Sequence, residues 1–401
     1  ELEGLDYNST DYIGKTGVEK EYEKELAGTK GSETVVVNNA GKVVTVSNRT
    51  DPVAGNEIYL TIDSDLQRNC YHLLERKIAE ILLQNIVPTM NYGSKGESAA
   101  DIKIPIYEVY YALINNNIID INTFDDPDAT ELEQKVYEKY LNERDLIFSK
   151  YRQFLAPDST VSNNKAGDME EFLDYFYDIL VAQKILIKSN IPTDDSVYKS
   201  YQNDNISLAR FLQYAITNNW IDLSKLGVGS EFYIADEIYN KLLDYVEDLL
   251  KKDDTFQKKI YRQLIFSYKL TGTEICLLLY DQGVLEYNSS EINNLKNGKS
   301  PYSFLTDKIR SLDITPAMLA LEPCSGSLVI TDINTGEVLA LVTYPSYDNN
   351  LFANKIDYQY YTRLSNDKSL PLRNRPIMQR TAPGSTFKMV TAFAALEEGV
   401  V

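Results

Sequence analysis

The stretch 92–318 sets the terms for any fold this chain can adopt. Six segments within it, 104–119, 132–155, 169–187, 208–221, 233–250 and 256–270, place apolar residues at steps of three and four, which collects them on one face of an α-helix. Clusters of Asn, Asp and Gly separate the segments, and such residues stop helices and turn the chain. Helical stripes repeated over this length must bury against one another, so the pattern predicts a helical unit with a core of its own. The stretch also echoes itself. Tyr111-Ala112-Leu113-Ile114-Asn115-Asn116-Asn117-Ile118 matches Tyr214-Ala215-Ile216-Thr217-Asn218-Asn219-Trp220-Ile221. Val136-Tyr137 and Tyr151-Arg152-Gln153 after the first copy correspond to Ile238-Tyr239 and Tyr261-Arg262-Gln263 after the second, which predicts a duplicated helical unit.

On both sides of this stretch the apolar period shortens to two. Val35 and Val37, then Asn38-Asn39-Ala40-Gly41, then Val43, Val44 and Val46 predict a hairpin over 34–46, and 58–62 reads as a further strand. Asp63 or Ser64 is placed to cap a helix that carries Leu66, Cys70, Leu73, Leu74, Ile78, Ile81 and Leu82 on one stripe and stops before Pro88. Leu328, Ile330 and Ile333, the turn Asn334-Thr335-Gly336 and the apolar 338–342 predict a second hairpin with a buried return strand. A short helix is expected over 19–26 and a polar loop over 348–376. The fold class is α+β.

One segment carries catalytic chemistry. Pro383-Gly384 breaks the chain, and the run 386–396 is apolar on nearly every side, the mark of a helix expected to be buried, with Gly399 as its stop. Ser385 falls at the first turn, where unpaired N–H groups and the positive dipole end favour developing negative charge. Lys388, three residues on, shares its face. Desolvation in apolar surroundings would make its neutral amine accessible as the base for the serine. Ser-x-x-Lys occurs three more times, at Ser162/Lys165, Ser196/Lys199 and Ser365/Lys368, in polar stretches that read as surface. The single histidine, His72, lies far upstream and reads as packed or surface. Gly14-Lys15-Thr16-Gly17 lacks the earlier glycine of a phosphate loop, since Ser9 stands there, and reads as a turn before a helix.

Ala382-Pro383-Gly384-Ser385-Thr386-Phe387-Lys388, followed by Thr391, Ala392 and 394–399, resembles the active-site serine segment of the class B penicillin-binding proteins, the D,D-transpeptidases of peptidoglycan synthesis. The 326–345 block resembles the strand pair that opens their catalytic sheet. Residues 14–28, and Leu60-Thr61-Ile62-Asp63 with Leu66-Gln67, resemble the join between their non-catalytic and transpeptidase domains. The resemblance implies a division into 1–56, the end of the non-catalytic pedestal domain and linker; 57–91, the first part of the transpeptidase domain; 92–318, a helical insertion unusual for the family; and 319–401, the second part with the serine helix. It implies that Ser385 attacks the carbonyl between two D-alanines of a stem peptide while Lys388 takes its proton, and that β-lactams stall at the acyl stage. The Ser-x-Asn and Lys-Thr-Gly segments that complete such a site are expected beyond Val401, so the chain itself is expected to be inactive and to expose the apolar serine helix. The alternatives are a non-catalytic cell-wall scaffold or a β-lactam-binding sensor whose helical insertion binds a partner.

A net charge of −19 and a pI near 4.6 argue against nucleic acid or anionic lipid as the main partner. The partners implied are stem peptides, β-lactams and other cell-wall or division proteins. No cofactor is implied, and Cys70, Cys276 and Cys324, far apart in sequence, read as buried free thiols rather than a zinc site or a disulfide framework. There is no run of eighteen apolar residues. Both ends read as cuts, with a membrane anchor expected upstream and an extracytoplasmic location. The acidity and the tyrosines of 92–318 point to an exposed contact surface.

Overall fold

The computed structural model describes Tyr7 and residues 11–90, 103–227, 234–353 and 356–400. Its contacts divide the chain into two units, Glu1–Arg68 with Val329–Leu341 and Asn69–Leu328 with Val342–Val401.

In the first unit the short helices Gly17–Glu21 and Glu23–Leu26 precede an antiparallel hairpin, Ser32–Val37 with Val43–Thr50. Asn38 Oδ1 accepts the amides of Ala40 and Lys42, both at 3.0 Å, and Gly41 takes a φ of 75°, which closes the turn. The valines of this hairpin are exposed on both faces. The strand expected over 58–62 does not form. The segment runs beside Val338 and Leu339, but Thr61 reaches Val338 O through its hydroxyl (2.6 Å) and the backbone amide of Asp63 is the donor to Leu339 O (3.0 Å), so no regular ladder develops. Asp63 then caps the helix Ser64–Asn85, its Oδ1 accepting from Asp65 N (3.0 Å) and Leu66 N (2.9 Å). The Gln67 side chain exchanges two hydrogen bonds with the backbone of Leu341.

The second unit is mostly helix. The six periodic segments become Ile106–Asn115, Glu131–Phe154, Glu170–Ala182, Leu208–Thr217, Ala235–Leu250 and Asp254–Phe266. Others had no separate sequence signal, among them Ser196–Gln202, Gly272–Asp281, Ser289–Lys296 and Pro301–Ser311. Many of these helices end in the same corner. One residue takes a left-handed φ, as at Asn117 (56°), Lys184 (55°), Asn219 (57°), Tyr268 (61°) and Leu312 (67°), and a following amide returns to the last helical turn. Ile118 N and Ile119 N reach Leu113 O, Trp220 N reaches Ala215 O, and Leu270 N reaches Leu264 O. An Asp, Ser or Thr a few residues on caps the next element: Asp120 holds Asn122 N, Asp222 holds Ser224 N, and Thr271 holds Glu274 N. The two matching octapeptides therefore follow one backbone path, which other corners of the unit also take.

The core runs through these helices, with Ser196–Gln202 only packed against it, and includes Ala79, Leu82 and Ile86, with Val109, Leu113, Phe124, Ile260 and Leu264 fully enclosed. Ile86–Val87 pairs in parallel with Ile104–Pro105, and Tyr302 Oη donates to Ile86 O (3.3 Å). The tyrosines of this unit depart from the expected contact surface. Tyr110, Tyr140, Tyr151, Tyr239 and Tyr261 are buried. A buried tyrosine is tolerated when its hydroxyl is satisfied: Tyr151 donates to Phe172 O (2.6 Å) and Tyr239 to Leu155 O (2.8 Å), and burial pushes both phenols above their ordinary range. Tyr140 and Tyr261 stack with centroids 5.1 Å apart. The three cysteines are free and buried, as their spacing implied.

The hairpin Gly326–Thr331 with Val338–Tyr344 forms where expected, with Gly336 at a φ of 77° and Asp332 Oδ1 holding the amides of Asn334 and Thr335. Gly326 lies against Leu74 and Ile78, where a Cβ would come within 3.2 Å of their methyl groups. The expected loop 348–376 instead contains the helix Tyr358–Asn366, opened by Asp357, whose Oδ1 takes the amides of Gln359 and Tyr360. Tyr358 and Tyr361 stay exposed, and only Leu364 is buried, so its apolar stripe was too narrow to read.

Candidate active site

The segment before the serine is held by a buried arginine. The Arg375 guanidinium donates to Ser369 O (2.6 Å) and Leu370 O (3.1 Å), while its backbone amide donates to Thr343 Oγ1 on the strand Val338–Tyr344. Burial lowers the pKa of this guanidinium. Pro376 follows at the start of the turn Arg375–Met378, where its missing N–H costs nothing. Sequence reasoning missed Arg375, whose one sign was a cation inside a segment otherwise read as loop.

From Pro383 the chain turns through Gly384, at a φ of 57°, into the 3-10 turn Gly384–Thr386 and without interruption into the helix Phe387–Glu397. Thr386 Oγ1 donates to Pro383 O (2.6 Å), which ties the turn to the break before it. Ser385 lies in that turn and Lys388 in the first turn of the α-helix, three residues apart on one helical run. Neither side chain has a hydrogen-bond or ion-pair partner among the described residues. The expected burial is absent. No residue of the helix is buried, Phe387 and Phe393 are 55% and 72% exposed, and Ser385 and Lys388 are exposed too. Nothing among the described residues covers the helix, so the desolvation proposed for Lys388 is not present in this arrangement. The exposed apolar surface expected of the chain is.

The competing sites separate from this one by their surroundings. Ser196/Lys199 and Ser365/Lys368 are exposed, but Ser162 is buried, its hydroxyl donating to Asn164 Oδ1 (2.8 Å), which corrects the surface reading of that pair. His72 stands on the surface with Nδ1 3.7 Å from Glu75 Oε2. Lys15-Thr16-Gly17 opens the exposed helix Gly17–Glu21. No group of three or more His, Cys, Asp or Glu placed to hold a metal occurs among the described residues. No helix among them is long and apolar enough to cross a membrane.

Comparison with known proteins places this geometry. Residues 326–401 match the penicillin binding protein transpeptidase domain, so the hairpin, Arg375 and the serine turn all fall inside one family match, and residues 1–60 match the penicillin-binding protein dimerisation domain. In these two stretches the chain is similar to the penicillin-binding proteins. It is 48% identical over 199 residues to the peptidoglycan D,D-transpeptidase MrdA of Haemophilus influenzae, an alignment covering 48% of this chain and 23% of that protein. It is 47% identical over 75 residues to MrdA of Escherichia coli K12, covering 19% and 12%, and 45% identical over 80 residues to the peptidoglycan D,D-transpeptidase PbpA of Mycobacterium tuberculosis, covering 19% and 16%. The chain thus spans less than a third of the length of the curated relatives it matches. No solved structure matches it.

Proposed function

We propose that the protein is a serine D,D-transpeptidase that cross-links peptidoglycan. The observation that carries this reading is the Pro383-Gly384 turn delivering Ser385 and Lys388 onto one helical run inside the transpeptidase match. Ser385 Oγ forms a bond to the penultimate D-alanine carbonyl of a stem peptide as Lys388 takes the hydroxyl proton. The C–N bond then breaks, the proton passes to the leaving D-alanine, and an amine from a neighbouring strand displaces the serine. The Ser385 amide supplies one oxyanion donor. β-Lactams acylate the same hydroxyl.

In this reading the rest of the transpeptidase domain covers the exposed helix Phe387–Glu397, desolvates Lys388 and brings the Ser-x-Asn and Lys-Thr-Gly segments and the second oxyanion donor. Residues 1–56 are the end of the pedestal and linker, 57–91 and 319–401 are transpeptidase, and 92–318 are an inserted helical domain facing the extracytoplasmic space and used for contact with other cell-wall proteins. The shared core with Ala79 and Leu82 fits an insertion that grew from the helix Ser64–Asn85. The enzyme works at the outer face of the cell membrane, held by an anchor upstream.

The test is labelling with a fluorescent penicillin. Full-length protein should carry the adduct on Ser385, and Ser385→Ala should abolish it. The 401-residue chain should label at least about a hundredfold more slowly, the scale of one lost oxyanion donor. An adduct mapped to Ser162, Ser196 or Ser365, or no adduct on the full-length protein, overturns the proposal.

A further inference from the structure

A cavity of about 670 Å³ lies inside the second unit, between the insertion and the segment that leads to the serine. One wall comes from Asn115–Ile118, Asp254, Lys258 and Met318, the other from Tyr71, Tyr344, Ser346 and the Asp367–Ser369 turn. Its size suits a small organic ligand. Two lysines meet in it. Lys258 is 7% exposed, and its ammonium bonds to a single acceptor, Asp254 Oδ2 at 2.7 Å. An ammonium carries three donors, so two N–H bonds of a buried cation have no acceptor among the described residues. Lys368 reaches in from the exposed rim and donates to Asn115 O at 3.1 Å, the carbonyl end of the helix Ile106–Asn115. Both lysines line the cavity, and loss of solvent and the neighbouring charge of Lys258 lower the pKa of Lys368. This is the Ser-x-x-Lys lysine at 368 that the catalytic reading leaves unused.

The remaining charges around the cavity are Asp254, Glu75 and Asp367. Asp254 is bound to Lys258, the Asp367 carboxylate accepts from Ser369 N and Oγ, and Glu75 lies near the Tyr71 and Tyr344 rings. Three carboxylates against two ammoniums leave no surplus positive charge, which disfavours a multiply charged phosphate; a single carboxylate would instead be held by the unused N–H donors of Lys258 and by Lys368. Asn116 Nδ2 is taken up by Met318 O and Leu319 O, but its buried Oδ1 has no donor among the described residues and can accept from a peptide N–H, and Tyr71 and Tyr344, with centroids 5.4 Å apart, add ring surface to the lining.

We propose that this cavity binds a short peptide through its free C-terminal carboxylate, held between Lys258 and Lys368, at a site separate from Ser385. The proposal does not depend on the transpeptidase reading. It is tested by titration calorimetry on the Ser385→Ala chain, which removes the serine nucleophile, with N-acetyl-alanyl-alanine in its L,L and D,D forms, the matching C-terminal amides, and inorganic phosphate. Saturable binding of at least one acid is expected. Its amide, and the acid on Lys258→Met or Lys368→Gln, should each bind about tenfold or more weakly, the scale of a lost charge-assisted hydrogen bond. Lys258→Met should melt within a few degrees of the parent and still bind the amide as the parent does. A Lys258→Met chain that fails to fold moves the decision to Lys368→Gln, whose side chain stands on the rim. Equal affinity for acid and amide, no effect of the lysine variants, no binding at millimolar peptide, or phosphate binding as tightly as the peptide acid would each overturn it.

Discussion

Glu274 joins two helices of the second unit. It stands at the third position of Gly272–Asp281, where its carboxylate accepts from Thr271 N (3.0 Å) and Thr271 Oγ1 (2.9 Å) while its own amide returns to Thr271 Oγ1. From Glu131–Phe154, Lys139 Nζ contacts both carboxylate oxygens at 2.7 Å, and Lys135 lies 3.2 Å away. Desolvation pushes this carboxyl up, but Lys139, Thr271 and Lys135 together outweigh it and bring it from 4.5 down to about 2. At 1.36 kcal/mol per tenfold, that fall corresponds to about 3 kcal/mol. Lys135 and Lys139 are 61% and 25% exposed, and screening reduces the figure to roughly 1.5 kcal/mol. The folded value lies below the unfolded one, so the contribution is full above about pH 4.5, shrinks as the pH falls, and is gone below about pH 2. In a unit of this size, Glu274→Gln should therefore lower Tm by about 2 °C at pH 7. Thermal unfolding followed by circular dichroism between pH 7 and pH 2.5, with Lys139→Met and the double variant, measures both the loss and its coupling. A Glu274→Gln protein as stable as the parent at pH 7, or a difference undiminished at pH 2.5, would refute the reasoning.

Lys388→Ala in the full-length protein should leave Tm unchanged and slow acylation by about 10² or more, read from the rate of fluorescent penicillin labelling. Leu113→Ala, at a site with no solvent contact, should cost about 2–5 kcal/mol in urea unfolding. Arg375→Met should unmoor the segment before the serine, read as faster proteolysis at residues 369–380, because Ser369 O and Leu370 O lose their donor. Residues 64–321 expressed alone should melt cooperatively and at a higher temperature than 92–318, since only the longer piece keeps Ala79, Leu82 and Ile86 in the core.

Where a residue's neighbours in sequence are also its physical environment, the chain was legible. The six periodic helices, the Gly41 and Gly336 turns and the Asp63 cap follow from spacing and local hydrogen bonds alone. Gly272–Asp281 escaped because Ile275, Cys276, Leu278, Leu279 and Tyr280 bury it on several sides and blur the period. Pro301–Ser311 escaped because Pro301 reads as a breaker, although behind the Ser300 cap it occupies the first helical turn. The strand expected at 58–62 depended on a partner hundreds of residues away, which sequence spacing cannot weigh. The position of Ser385 and Lys388 on one run was legible from the Pro-Gly break. The exposure of that run was legible only through the family resemblance, since an apolar helix carries no local sign of what covers it. Lys368 showed only as a surface Ser-x-x-Lys lysine, and nothing in the sequence pointed to its sharing a cavity with Lys258.

The recurring corner after the helices has a consequence for how this unit can vary. Each one fixes the direction in which the chain leaves, through a left-handed residue such as Asn117 or Asn219 and a capping side chain such as Asp120 or Asp222, and it does so within a few residues of sequence. Direction is therefore stored in the joints, and length in the arms between them. A helix that gains or loses a whole turn keeps its exit angle, so the unit can be stretched or trimmed like jointed scaffolding, while a single residue lost from a joint would re-aim everything that follows.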